Sequence, residues 1–522
     1  EMGLELSYDK QLKGKNGYKV YQTDANGYAL VDGTLREKDP TNGNDLYLTI
    51  DSGLQRNLDY LMSNAYSESG AEVVTAGVME IKTGKILAMS TYPSFNPNER
   101  NISTFNNYFL EGTIECGSVF KPFIYADSIE EGKYDHNAYY NSGSYNVYYG
   151  NKLVATIKDH NGGQGWGTIT YDQGLYHSSN VAICNLLDQG YVTKDVLTEK
   201  LNDLGFFQGD TMDGLTCSSS INAYTRKNAG RLEYLTTGFG QGSTVTPYQL
   251  LKAYSVFGND GKTVQPHIVD KVVNPKTNKV VYQATPKYSK QIFSTNTISQ
   301  VKDLMLGVIE DEQGTGKTYR LDNDVRMIGK TGTGQVVENG GYSTTLYMHS
   351  FVGIAPYDDP QVVMFLTFKS GDSYAQYMPN IVKQTMNEAL QVVNRYNAKN
   401  TTAVDQSYTL DSYTNQSVNY VKSKLESKSL SVQIIGNGSS VIEQYPLAKS
   451  KVTSGDKVFI KTEGKDITLP NLIGWSKKEV QTYASLAGIQ LTIDGTSGHV
   501  TAQSVGENTV VHSGDSLTVV IS

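Results

Sequence analysis

The sequence has few of the features that would assign it to several large classes of protein. It contains no run of about 18 or more apolar residues, the length that a membrane-spanning helix needs. It has no basic run and its net charge is −8, so nucleic acid is not an expected partner. Its 3 cysteines are few for a secreted disulfide scaffold, and an odd number of cysteines cannot all pair with one another. No C-x-x-C pair is present. The absences therefore exclude a membrane bundle, a nucleic-acid-binding protein and a disulfide-rich module.

What is present is a long chain with a polar beginning. At 522 residues, the chain predicts roughly two to four domains and a large core. The first residue is Glu1, and no signal peptide precedes it, so we expect that an upstream segment has been removed. Residues 1–44 are glycine-rich and polar, as at the end of a preceding domain.

The C-terminal tail contains an internal repeat. Leu410 aligns with Leu469 and Gly455 with Gly514, at one constant offset and without a gap. Each copy has an amphipathic helical pattern followed by short alternating strands. We therefore predict two small α+β modules, at 408–464 and 465–522, which follow a polar linker at 397–407.

Residues 45–396 have the pattern of one large mixed domain. Asp51 or Ser52 is a candidate cap for a helix that follows the strand "DLYLTI". "VVTAGVMEI" and "KILAMSTY" predict a hairpin that turns at Lys82-Thr83-Gly84. Thr246 and Pro247 predict a helix start, and "HSFVGIAP" and "QVVMFLTF" predict two neighbouring strands.

Three short motifs occur in this large domain in a specific order. They are Ser118-Val-Phe-Lys121, Ser178-Ser179-Asn180 and Lys330-Thr331-Gly332-Thr333. Each is common by itself, since Ser7 and Lys10 also fit the first and Lys82 begins another Lys-Thr-Gly. Their context is more specific, because the first opens a predicted helix, the second precedes an apolar helical run and the third precedes the two strands. This ordered set is typical of β-lactamases and penicillin-binding proteins.

With these motifs the chain resembles the class B penicillin-binding proteins, which are monofunctional peptidoglycan transpeptidases. "GVMEIKTGKILAMSTYPSFNPN" and "GFGQGSTVTPYQL" resemble stretches of that family, and the tail repeats resemble PASTA modules. The resemblance covers about residues 45–395 and the tail, and residues 1–44 resemble the end of the family's non-catalytic pedestal domain. The resemblance implies an α/β (α+β) fold. The expected architecture is the penicillin-binding and β-lactamase-like transpeptidase fold, in which helices pack on an antiparallel sheet, and the two PASTA modules follow it.

The resemblance implies acyl transfer by a serine and a lysine. Ser118 would attack the carbonyl of the penultimate D-alanine in a D-Ala-D-Ala stem peptide, and a serine hydroxyl needs a base for this. Lys121 is that base only when it is uncharged, so burial and a second cation must lower its pKa. Lys330 is the candidate cation.

The other motif residues take supporting roles by the same resemblance. Ser178 would relay a proton to the leaving D-alanine, and Asn180 would hold Lys121 and the substrate amide. The terminal carboxylate would be received by Lys330, Thr331 and Thr333, with Gly332 letting the substrate backbone lie against the strand. The backbone N–H groups of Ser118 and Thr333 would form the oxyanion hole. β-Lactam antibiotics would acylate the same serine.

One position departs from the family pattern and suggests a metal. The family commonly has proline where this chain has Cys116. Cysteine, histidine and aspartate are zinc ligands, and some clostridial members of the family bind zinc beside the active site. We therefore consider a structural zinc held by Cys116, Asp159, His160 and Cys217. The alternative is isolated reduced thiols and a surface histidine. Catalysis itself requires no cofactor.

Other functions share parts of this pattern. A serine β-lactamase or a β-lactam sensor has the same acylating residues, but it lacks the C-terminal repeats. A non-catalytic scaffold that binds the cell wall would keep the repeats but would not need the three motifs. The family resemblance further implies a membrane anchor before the pedestal, a catalytic domain on the outer face, a glycosyltransferase partner and a role in septal or spore-cortex wall synthesis.

Overall fold

The computed structural model describes residues 2–26, 28–96, 102, 104–321, 325–338, 340–401, 408–426, 428, 430–452, 456–495 and 499–521. The chain divides into two compact units, Glu1–Val393 and Asn394–Ser522. None of the described helices is both long enough and apolar enough to cross a membrane.

The α-helices are α1 Gly3–Ser7, α2 Asp9–Leu12, α3 Ser52–Ser69, α4 Tyr108–Glu111, α5 Lys121–Glu130, α6 Tyr171–Tyr176, α7 Asn180–Asp188, α8 Lys194–Asp203, α9 Arg231–Gly238, α10 Pro247–Tyr254, α11 Thr295–Glu310, α12 Met378–Thr401, α13 Val418–Glu426 and α14 Lys477–Ala487. Short 3₁₀-helices span Gly117–Phe120, Ala223–Thr225, Ser255–Gly258, Lys317–Tyr319 and Asp372–Gln376.

The strands of the first unit are β1 Tyr18–Thr23, β2 Ala29–Lys38, β3 Asp45–Leu48, β4 Val73–Glu80, β5 Ile86–Tyr92, β6 Tyr139–Asn141, β7 Ser144–Tyr149, β8 Lys152–Lys158, β9 Thr168–Thr170, β10 Asp210–Met212, β11 Leu215–Cys217, β12 Val269–Asn274, β13 Lys279–Gln283, β14 Ile328–Glu338, β15 Gly341–Ala355 and β16 Val362–Ser370. Those of the second unit are β17 Tyr408–Thr409, β18 Ser431–Ile435, β19 Val441–Tyr445, β20 Lys451–Val452, β21 Lys457–Thr462, β22 Ile467–Thr468, β23 Gln490–Asp494, β24 Val500–Gln503, β25 Val510–Val511 and β26 Ser516–Ile521.

A five-stranded antiparallel sheet organises the first unit. Its strand order is β14-β15-β16-β4-β5, which leaves β14 at an edge. One core packs α3 and α12 against this sheet, and a second, larger core contains α5, α7, α10 and part of α11. Helix α5 is buried along nearly its whole length in that second core. The predicted antiparallel sheet with helices is confirmed.

Several local predictions in this unit are confirmed by the structure. The Asp51 carboxylate accepts the N–H groups of Gly53 and Leu54 at the start of α3. Thr246 caps α10, which begins at Pro247. Strands β4 and β5 form the predicted hairpin around Lys82.

The second unit contains two modules of the same design. In the first, β18, β21 and β19 form a sheet with α13, and in the second β23, β26 and β24 form one with α14. In both sheets the outer strand that follows the helix pairs parallel to the last strand. The helix-then-strands pattern read from the tail repeats is therefore confirmed.

The segment predicted as a linker lies partly in a helix. Helix α12 continues to Thr401, so the backbone at 397–401 is helical. The rest of that prediction, 402–407, lies outside the described residues.

Candidate active site

Ser118 lies on a single 3₁₀ turn in front of α5, whereas the sequence predicted that it opens the α-helix itself. The reason is Pro122, because in an α-helix its N–H would donate to the Ser118 carbonyl and proline has none. That carbonyl instead accepts the N–H of Lys121, which is the 3₁₀ pattern. Residues three apart are aligned in a 3₁₀ turn, so Ser118 and Lys121 still share a face.

The turn is pressed against the edge strand β14. Gly117 has a φ of +60°, and a Cβ there would lie 2.3 Å from the Thr333 carbonyl oxygen. A Cβ at Gly334 would lie only 1.7 Å from the Glu115 carbonyl oxygen. Glycine at these two positions therefore allows the nucleophile turn and the Lys-Thr-Gly strand to approach each other.

Ser118 opens on a cleft of about 750 Å³. Residues from all three motifs line this cleft, among them Ser178, Asn180, Thr331, Gly332 and Thr333. Within the described part of the chain, no side-chain hydrogen bond joins Ser118 Oγ to Lys121 Nζ. The structure thus brings the three motifs to one cleft but leaves the nucleophile and its candidate base unconnected.

Two buried amines converge on the Ser178 hydroxyl. Lys330 Nζ donates to Ser178 Oγ at 2.8 Å, while Lys121 Nζ lies 3.4 Å from the same oxygen and also donates to the Ser178 carbonyl. Both lysines are fully buried. Ser178 has a φ of +58°, a strained backbone conformation for a residue with a side chain. Its hydroxyl therefore connects the two lysines.

This environment lowers the pKa of both lysines. Burial lowers the pKa of Lys121 to about 7, and the nearby Asp159 carboxylate partly opposes this. Burial also lowers the pKa of Lys330 well below its usual value, and the charge of Lys121 adds to the effect. Because two ammonium groups around one hydroxyl repel each other, a charge on either lysine favours the uncharged form of the other.

Asp159 organises the second motif. Its carboxylate accepts Ser179 Oγ–H at 2.8 Å and the N–H groups of Asn180 and Val181 at 2.8 and 3.1 Å. Its other oxygen accepts the N–H of Gly143 at 2.8 Å. The side chain thus fixes the start of α7 immediately after Ser178. The sequence predicted Asp159 as a zinc ligand, and no local signal indicates a cap, because the residue lies 21 positions before Asn180 in the chain.

The predicted hydrogen bond between Asn180 and Lys121 is absent from the described structure. Asn180 Nδ2 donates instead to the carbonyl of Lys158, at the end of β8, at 2.9 Å. Asn180 nevertheless lines the cleft.

The four predicted zinc ligands do not form a metal centre. Among the described residues, no group of three or more histidine, cysteine, aspartate or glutamate side chains is arranged to hold a metal. The Asp159 oxygens already accept four donors, and Cys116 and Cys217 are buried thiols in the hydrophobic core whose pKa burial raises. His160 lies at the cleft beside Trp166, with the ring centroids 5.4 Å apart. These residues do not fit zinc.

The third motif lies on β14, with Lys330 buried beneath it. Thr331 Oγ1 donates to Thr315 Oγ1 at 2.9 Å, and Thr333 is exposed at the edge of the sheet. Since β14 is an edge strand, half of its N–H and C=O groups point away from β15 and are available to a ligand. Thr315 is a cleft residue that sequence reasoning missed, because nothing in the local pattern after α11 indicates it.

Three family profiles match the chain. A family profile described as "Penicillin binding protein transpeptidase domain" matches residues 74–391, "PASTA domain" matches 408–464 and 467–522, and "Penicillin-binding Protein dimerisation domain" matches 1–48.

Individual relatives are similar over most of the chain. "Stage V sporulation protein D" of Bacillus subtilis is 30% identical over 485 residues, which cover 89% of this chain and 72% of the relative. "Probable peptidoglycan D,D-transpeptidase PenA" of Neisseria flavescens is 28% identical over 408 residues, 75% of this chain and 94% of the relative. The crystal structure of Penicillin Binding Protein 2X from Streptococcus thermophilus superposes with a TM-score of 0.67 and 25% identity, covering 100% of this chain and 78% of that one.

Proposed function

The chain belongs to the penicillin-binding protein transpeptidase family, of the class B type with a dimerisation domain and two PASTA domains, and from that premise we propose that it cross-links peptidoglycan as a serine D,D-transpeptidase. The observation that carries the proposal is the convergence of two buried lysines on Ser178 in the cleft onto which Ser118 opens. A wall-binding scaffold would have no need of two amines with lowered pKa.

Substrate binding sets the charges for acylation. The terminal carboxylate of a D-Ala-D-Ala peptide pairs with Lys330 and with the hydroxyls of Thr331 and Thr333. A carboxylate beside Lys330 favours its charged form, and the charge of Lys330 in turn favours uncharged Lys121. The substrate therefore helps to produce the free amine that the reaction needs.

In the acylation step, Lys121 takes the proton of Ser118 while Oγ attacks the carbonyl of the penultimate D-alanine. The N–H groups of Ser118 and Thr333 bind the oxyanion, and Ser178 passes a proton to the amine of the departing D-alanine. Ser118 and Lys121 must approach by the time substrate is bound, since catalytic hydrogen bonds often tighten only in that complex. An acceptor amine then attacks the acyl-enzyme and restores the Ser118 hydroxyl.

The cellular setting follows from the same family. We place the chain on the outer face of the bacterial membrane, held by an upstream helix, and acting with a glycosyltransferase that supplies glycan strands. The similarity to "Stage V sporulation protein D" favours spore-cortex synthesis over septal synthesis.

Intact-mass measurement after treatment with benzylpenicillin, followed by peptide mapping, tests the proposal. We expect a long-lived adduct on Ser118 that Ser118→Ala abolishes. Ser67→Ala, which removes a hydroxyl exposed on α3, is the matched control and keeps the adduct. Rapid loss of the adduct would instead indicate a β-lactamase, and absence of any adduct on the folded protein would indicate the scaffold.

A further inference from the structure

A second cavity of about 310 Å³ adjoins the catalytic cleft. The two spaces share Gln335 of β14, two positions beyond Thr333 along the strand. A ligand that lies along β14 in the cleft therefore reaches the side chain that borders both spaces.

A buried acid lines the second cavity without a charge partner. Glu115 is 7% exposed, and Tyr342 donates to its Oε1 at 3.1 Å. Its Oε2 has no hydrogen-bond partner, and no described residue forms an ion pair with it. Burial raises the pKa of Glu115, and hydrogen bonds from the Gly242 N–H and from Tyr342 partly oppose this.

The rest of the cavity wall is largely apolar. Its apolar residues are Val73, Ile114, Pro247, Val336, Val337 and Met348. Lys369 also lines the cavity, but its ammonium group pairs with Glu72 at 2.6 Å. The described wall therefore offers an apolar surface and one carboxylate that no cation of the protein neutralises.

We propose that the second cavity binds an aliphatic side chain of a peptidoglycan stem peptide that ends in a primary ammonium group, with that group on Glu115. The apolar wall accepts the methylene groups, and the free carboxylate oxygen accepts the ammonium. The inference rests on the proposed transpeptidase function, because that function brings a stem peptide to β14. Such an amine belongs either to the donor strand or to the acceptor strand.

The donor arm of the test uses two acetylated tripeptides, one with L-lysine and one with L-norleucine before D-Ala-D-Ala. Norleucine is lysine without the amine, so the ratio of their inhibition constants against fluorescent penicillin isolates the ammonium group. We expect the lysine peptide to bind about tenfold more tightly. Glu115→Gln removes this preference, whereas the matched control Glu80→Gln keeps it, because Glu80 is an equally buried acid outside the cavity.

The acceptor arm uses a donor that carries norleucine and measures how the acyl-enzyme divides between water and an added lysine-type amine. If the acceptor strand is the occupant, Glu115→Gln lowers the share of cross-linked product by about tenfold. A change confined to one arm identifies which strand fills the cavity.

A second variant tests the inference without replacing a buried side chain, in case Glu115→Gln does not fold. Val337 is 62% exposed and lines the cavity, so Val337→Lys adds a cation near Glu115 without disturbing the core. We expect it also to remove the preference. If the parent protein shows no preference in either arm, or if both variants keep it, the inference is wrong. Failure of the parent to take up penicillin would instead contradict the proposed transpeptidase function.

Discussion

At the scale of single residues, the charge state of Lys121 determines when Ser118 can react. Burial lowers the pKa of Lys121 to about 7, and the base form is the uncharged amine. The second-order rate constant for acylation by benzylpenicillin should therefore fall about tenfold per pH unit below about 7 and level off above about 8. Stopped-flow measurement with a fluorescent penicillin from about pH 5 to about pH 9 checks this.

Two variants make the pH test specific. Lys121→Arg should abolish acylation, because a guanidinium group cannot lose its proton in this range. Lys302→Met removes a half-buried lysine of α11 outside the cleft and should leave the profile as it is. A flat profile for the parent protein would show that uncharged Lys121 is not the base.

Asp159 should affect both stability and rate, since its carboxylate holds the residues on either side of Asn180. In Asp159→Asn one oxygen becomes an NH₂ group that must face N–H donors. We expect a loss of about 1–3 kcal/mol in the free energy of unfolding and about a tenfold slower acylation. Asp51→Asn, a cap change at the start of α3, should alter neither by much, because asparagine caps helices as well as aspartate does. Normal acylation by Asp159→Asn would contradict this positioning role.

The motif residues were predictable from the sequence because chain order distinguishes them from chance matches. The geometry between these residues was not predictable. Asn180 Nδ2, for example, donates to the carbonyl of Lys158, whereas the sequence predicted a contact with Lys121. The predicted zinc ligands are not brought together in the described structure, for a related reason. Residue type marks Asp159 as a possible ligand, but only the fold reveals the four donors that already occupy its oxygens.

At the scale of elements, the contact between β14 and the nucleophile turn depends on glycine. A Cβ at Gly334 would lie 1.7 Å from the Glu115 carbonyl oxygen, which is backbone and cannot move aside cheaply. Gly334→Ala should therefore push the turn from the strand and slow acylation by about 100-fold or more, as small misplacements at an active site can. Gly341→Ala, at the other end of the same hairpin where a Cβ meets nothing within 4 Å, is the matched control. Penicillin uptake measured for both variants checks the prediction, and equal rates would contradict it.

Elements were predictable where a local signal was complete. The cap at Asp51, the Thr246-Pro247 helix start and the Lys82 turn all formed as expected. The start of α5 was wrong by one turn because the effect of Pro122 reaches back to the carbonyl of Ser118. The placement of β14 at the sheet edge was beyond local reasoning, since strand order depends on pairings between distant segments.

At the scale of the whole molecule, each unit has hydrophobic clusters of its own. Two clusters belong to the first unit, and two others lie among residues 410–521. Within the second unit the modules also touch each other, with the Lys457 ammonium 3.4 Å from the centre of the Trp475 ring and Phe459 packed on the same residue. The repeat alone predicted two modules, but it gave no sign of this junction, because the residues that form it differ between the copies.

The separate cores predict where the chain can be shortened. A chain that ends at Thr401 keeps all of α12, so it should fold and take up penicillin on Ser118 within about twofold of the full-length rate, because domains with their own cores fold alone. A chain that ends at Tyr377 loses α12, whose Ile381, Val382 and Met386 are buried in the core beside the sheet. That shorter chain should not fold, since several large apolar side chains are removed at once. Circular dichroism and intact-mass measurement of both truncations compare the two outcomes. Loss of penicillin uptake by the longer truncation would show that the catalytic unit depends on the PASTA modules.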